Sequence, residues 1–182
     1  MDRISPYFKT GVPDSYYVIG IFLIIISILL SLFLVKSYKN RYRLISAVSL
    51  TVYIMLVLCA TTFLRSNAVS SGVKLIPFWS YRQVLQGQIH ICLEVIYNVV
   101  FFIPVGVLVC CIFPKLSMKN LFKIAVSLSL VIEIMQFLLQ RGLCEIDDVI
   151  HNSLGCLIGY GIYKGTVKLL NKVEKKQSRI IL

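Results

Sequence analysis

Five uninterrupted apolar stretches, residues 16–35, 44–64, 95–113, 121–139 and 149–167, constrain this chain more than any motif in it. Each has about the length that carries a helix across a ~30 Å hydrocarbon layer at 1.5 Å per residue. Inside them the charged residues are Lys123, Glu133 and Lys164, although the chain carries 19 Lys and Arg and 8 Asp and Glu. The mean hydropathy of +0.83 excludes disorder, a coiled coil and an ordinary soluble domain. In lipid every backbone polar group must be satisfied within its own segment, so each stretch is expected to be helical. The expected fold is all-α: a polytopic membrane helix bundle of about five transmembrane helices. It forms a single membrane domain over residues 1–182.

The formal net charge of +11 does not indicate nucleic acid, because the basic residues fall between apolar spans in alternate loops. One side receives Lys36, Lys39, Arg41 and Arg43, three residues at 115–123, and six after residue 163. The other receives Arg3, Lys9, Arg65, Lys74, Arg82 and Arg141. That is thirteen against six, which by the positive-inside rule puts the N-terminus outside and the C-terminus inside. Residues 168–182 are then a basic cytoplasmic tail beside the anionic leaflet. The first span is longer than a signal-peptide core and lacks a small-residue cleavage site, so it reads as an uncleaved anchor.

Of six cysteines, Cys59, Cys110, Cys111 and Cys156 lie inside spans and read as small hydrophobes. Cys92 and Cys144 lie near the outer surface, and a disulfide between them is left open. No Cys/His metal spacing and no cofactor motif occurs, so neither a metal nor a cofactor is expected. The second loop, 65–94, carries LIPFWSYRQVLQGQ at 75–88, whose aromatics suit the headgroup level as a re-entrant or surface-lying segment. Gly155/Gly159 and Gly161/Gly165 have the spacing that lets two helices approach closely, and they offer a homo-oligomer contact.

The expected topology brings polar residues of three helices to one membrane level. Asn98, with Glu94, lies in the outer turns of span 3. Glu133, Gln136 and Arg141 line the outer half of span 4 at helical spacing. Asp147, Asp148 and Asn152 open span 5. An intramembrane carboxylate is costly unless it meets a partner or serves a function, so Glu133 is the leading candidate. Arg141 is its first expected partner, with Asn98, Gln136 and Asn152 as hydrogen-bonding neighbours. Asp147 and Asp148 have a plainer reading as caps of the span 5 helix. His151 stands off the stripe and reads as an interfacial residue.

At these positions the chain resembles the VanZ-like family of small bacterial membrane proteins. The resemblance rests on Arg65 with LIPF at 75–78, NVVFFIPVG at 98–106, EIMQ at 133–136 and RGLCEIDDVIHNSLG at 141–155. It covers residues 65–159, with Glu145 standing where an Asp is common. The resemblance implies a multi-pass protein of the cell membrane. The founding member is linked to low-level resistance to the glycopeptide teicoplanin, and the resemblance implies no defined reaction. It carries candidate importance to Asn98, Glu133, Gln136, Arg141, Asp147, Asp148 and Asn152.

Three functional classes stay open at this stage, beside a plainer fourth in which the protein is a scaffold whose polar residues only hold the helices together. The first is an outer-leaflet polar site binding a membrane lipid or a lipid-linked envelope component. The second is a membrane hydrolase or transferase, with Glu133 as base or Asp147 and Asp148 on a divalent cation. The third is a small ion-coupled carrier using Glu133. No HExxH, nucleophile elbow or histidine triad supports catalysis, and no inverted repeat supports a carrier.

Overall fold

A computed structural model of the chain describes residues 41–59, 72–140 and 142–180. Span 1, Arg65 and Arg141 lie outside the described residues. The elements are α1 (Arg41–Leu58), β1 (Val73–Lys74), α2 (Trp79–Leu85), α3 (Ile89–Ile112), α4 (Met118–Leu138), β2 (Cys144–Glu145) and α5 (Ile146–Ile180). The all-α expectation holds, with one two-residue parallel ladder added in which Val73 faces Cys144 and Lys74 faces Glu145.

Among the described residues, α1, α3 and α4 are long and apolar enough to cross a membrane. Their outward faces carry Ile45, Leu56, Ile96, Val100, Val131 and Ile134, all exposed, as helices bathed in lipid require. The run at 149–167 is also helical, but α5 is not among those three. His151, Asn152 and Ser153 interrupt its apolar character, and all three are buried. Packed on both α3 and α4, α5 shields its polar residues with protein rather than facing lipid on every side.

The α3–α5 crossing is a backbone contact. A Cβ on Gly106 would overlap the carbonyl oxygen of Cys156. One on Gly155 would overlap the carbonyl of Val99, and one on Gly159 that of Ile103. Small residues let helices approach this closely and gain dispersion contacts along the seam. α3 of the same chain lies against Gly155 and Gly159. Gly161 and Gly165 have open space beside them.

Pro104 sits inside α3 without ending it. Its ring removes the amide that would have bonded the carbonyl of Val100. One residue along, Phe101 O accepts the Tyr53 hydroxyl of α1 at 2.9 Å. The α4 helix opens on Ser117, whose hydroxyl accepts from Asn120 N at 3.3 Å, a conventional N-cap. It closes where Gln140 takes a left-handed φ of 54°. Val57, Phe102, Val105, Val109, Leu121, Ala125, Ile132 and Cys156 form the apolar core between the helices.

Candidate functional site

Glu133 is 1% exposed, in the last third of α4. Its Oε2 accepts the backbone amide of Glu145 at 3.0 Å, which ties α4 to the strand residue that precedes α5. Ser129, Glu133 and Gln136 follow at i, i+4 and i+7, and all three are buried on one face of α4. Asn152 of α5 donates through Nδ2 to Ser129 Oγ at 2.7 Å. Asn98 of α3 donates through Nδ2 to Asp148 Oδ1 at 2.7 Å. Asn98 and Asn152 thus bond Asp148 and Ser129 rather than Glu133, as the sequence had led one to expect. Arg141, the first expected partner of Glu133, lies outside the described residues.

Glu133, Gln136, Asn98, Asp148 and Asn152 line one cavity of about 240 Å³. Four carboxylates reach it from four elements: Glu94 of α3, Glu133 of α4, Glu145 of β2 and Asp148 of α5. Asn98, Gln136 and Asn152 complete the polar wall. Val57, Tyr97, Phe101, Phe102, Ile132 and Leu143 form the apolar wall. Asn152 is 3% exposed, and its Oδ1 has no hydrogen-bond partner among the described residues. A buried amide oxygen left unpaired is costly, and a bound donor group would offset that cost. Lys74 approaches Glu145 Oε1 at 3.7 Å, while its ammonium lies 3.2 Å from the centre of the Trp79 ring.

Asp147 belongs elsewhere. It is buried, but it does not line the cavity. Its Oδ1 accepts from Phe78 N at 2.6 Å and its Oδ2 from Ser80 N at 2.7 Å. It therefore caps the first turn of α2 from a distance, where its own helix had seemed the natural target. The aromatic segment 75–88 is thereby fastened over the start of α5, with Phe78 held at a φ of 64°. His151 is corrected from an interfacial residue to a buried one, 1% exposed, with Nε2 3.0 Å from the Tyr81 hydroxyl.

Ser129, the acceptor of the Asn152 amide, is the buried neighbour of the site that the candidate set lacked. Ser129 was findable, because it continues the Glu133–Gln136 stripe by one helical turn. Glu145 enters through the β1–β2 ladder, which two-residue strands do not announce in sequence. Cys92 and Cys144 are free thiols. Burial pushes the Cys144 thiol up from its ordinary range, and the charges of Glu133, Asp148 and Glu145 push it further. Among the described residues no group of three His, Cys, Asp or Glu is arranged to hold a metal ion.

The VanZ/LLP1 family pattern matches residues 17–170. Protein VanZ of Enterococcus faecium is 37% identical over 89 residues, 49% of this chain and 54% of that protein. The chain thus spans about half the length of the curated relative it matches. No solved structure matches it. A family pattern over most of the chain, joined to several long apolar helices, makes this a multi-pass membrane protein, and the chain belongs to the VanZ/LLP1 family.

Proposed function

We propose that this protein is a five-span component of the bacterial cell envelope, with its N-terminus outside and its C-terminus inside. Its acidic cavity opens at the outer leaflet and binds an amphiphilic ligand, a membrane lipid or a lipid-linked wall component. The ligand presents a cationic or hydrogen-bond-donating group to Glu94, Glu133, Glu145 and Asp148. Its hydrocarbon part lies against Phe101, Phe102 and Ile132. Through that ligand the protein contributes to resistance to glycopeptides of the teicoplanin type.

One observation carries the reading: four carboxylates and the unpaired Asn152 Oδ1 share a 240 Å³ cavity with an aromatic and aliphatic wall. A site of this composition favours a donor-bearing headgroup over a bare phosphate, because like charges repel at close range. The orientation draws on charge. Arg43, Lys115 and Lys164 lie at the end of the bundle opposite the cavity, where the positive-inside rule puts the cytoplasm. The hydrolase reading that pairs Asp147 with Asp148 on a divalent cation is disfavoured, since both Asp147 oxygens are engaged by backbone amides.

The test is teicoplanin susceptibility of a deletion strain carrying the wild-type chain, Glu133→Gln or Asp148→Asn, with membrane insertion of each checked by immunoblot. The wild-type chain should restore resistance, and the two variants should not. Equal susceptibility of the parent, deletion and variant strains would remove resistance from the reading.

A further inference from the structure

The end of the bundle opposite the acidic cavity carries its own depression, and the functional reading leaves it unused. It has a volume of about 350 Å³ and is lined by Arg43 of α1, Lys115 of the α3–α4 turn, Asn120 of α4, and Phe113, Pro114 and Leu116. Lys164 of α5 reaches the same turn, where its ammonium donates to Pro114 O at 3.0 Å. An ammonium has three donors, so two remain for a ligand. The side chains of Arg43, Lys115 and Lys164 are exposed. Arg43 and Lys115 thus line one concave site beside the apolar rim of Phe113 and Leu116, and Lys164 borders it through the Pro114 carbonyl. Glu94, Glu133, Glu145 and Asp148 line the cavity at the other end.

We propose that this depression is a binding site for the phosphate headgroup of an anionic phospholipid. Arg43 supplies a planar fork that suits phosphate oxygens, and Lys115 and Lys164 supply point charges. Phe113 and Leu116 meet the first carbons of the acyl chains. Basic pockets between membrane helices on the cytoplasmic side bind anionic headgroups in this manner. The site is more than a topology signal, because its cations come from distant sequence positions and converge. Lys172 and Lys175 share a separate depression on α5 with Lys164 and Lys168, and with Lys176 they provide the control.

The test is native mass spectrometry of the full chain released from nanodiscs of phosphatidylcholine with one-fifth phosphatidylglycerol. The wild-type chain should retain phosphatidylglycerol in preference to phosphatidylcholine. Combined Arg43→Gln, Lys115→Gln and Lys164→Gln should lower retention about fivefold per charge removed, roughly a hundredfold in all. The charge-conserving set Arg43→Lys, Lys115→Arg and Lys164→Arg should keep most of it, which separates headgroup binding from misfolding. Equal loss from Lys172→Gln, Lys175→Gln and Lys176→Gln would overturn the proposal in favour of diffuse attraction. Displacement of the lipid by an equal concentration of inorganic phosphate would overturn the assignment to a membrane lipid.

Discussion

Ser80 N and Asp147 Oδ2 lie 2.7 Å apart, and this contact fastens the aromatic segment of the second loop to the first turn of α5. Phe78 N takes the other oxygen of the same carboxylate. Two amides at the start of α2 therefore share one buried anion, and hydrogen bonds to a charged acceptor are the stronger kind. Asp147→Ala should cost about 2–4 kcal/mol, since both amides lose their acceptor, and Asp147→Asn roughly half of that. Trypsin provides a local readout, because Arg82 is exposed on α2. Cleavage there should speed up in Asp147→Ala before global unfolding in detergent is affected.

The glycines of α5 divide into two kinds, and substitution should separate them. A methyl group on Gly159 meets backbone of α3, which cannot rotate away as a side chain would. Gly159→Ala should therefore destabilise by about 1–3 kcal/mol or force the two helices apart. A methyl group on Gly161 meets open space. Gly161→Ala should stay within about 1 kcal/mol of the parent, by helix propensity alone. Unfolding of both variants in a denaturing detergent series checks the contrast. Equal stability would mean that the α3–α5 seam is not held by backbone contact.

The helices were legible because lipid permits little else for a long apolar run, and Arg41–Leu58, Ile89–Ile112 and Met118–Leu138 fall where the hydropathy puts them. The polar stripe of α4 was legible as well, since Glu133 and Gln136 share one face. Which polar group meets which was not. That depends on the rotation of each helix about its axis, and here Gly106, Gly155 and Gly159 fix it through backbone contacts. Asp147 and Asp148 make the point most clearly. They are adjacent in sequence but about 100° apart around the helix, so one holds α2 while the other meets Asn98 across the cavity wall. A two-residue strand such as Cys144–Glu145 gives no periodic signal, so its pairing with Val73–Lys74 could not be read.

Asn98 and Asp148 supply a charge test of the cavity wall. The Asn98 amide donates to the carboxylate, so a second carboxylate in its place removes a donor and adds repulsion. Asn98→Asp should destabilise the protein by more than Asn98→Ala at pH 8. The excess should shrink towards pH 5, where one proton can be shared between the two acids. Unfolding midpoints at the two pH values check this, and parallel pH curves for the two variants would show that Asp148 does not sense position 98.

Cys144 reports on the electrostatics of the cavity without any ligand. Its thiol is raised above its ordinary range first by burial and then by the charges of Glu133, Asp148 and Glu145. The reactive species is the thiolate, so a raised thiol is less ionised at a given pH and reacts more slowly. In a chain whose other cysteines are replaced by serine, alkylation of Cys144 at pH 8 should be slower than that of free cysteine and should accelerate as the pH rises towards 10. Glu133→Gln removes one of the charges that disfavour the thiolate, so alkylation at pH 8 should speed up by about twofold to tenfold. Lys123→Gln leaves that group of charges untouched and should not change the rate. If Glu133→Gln left the rate unchanged while the protein stayed folded, Glu133 would not be an anion beside Cys144, and the acidic character assigned to the cavity would be wrong at its centre.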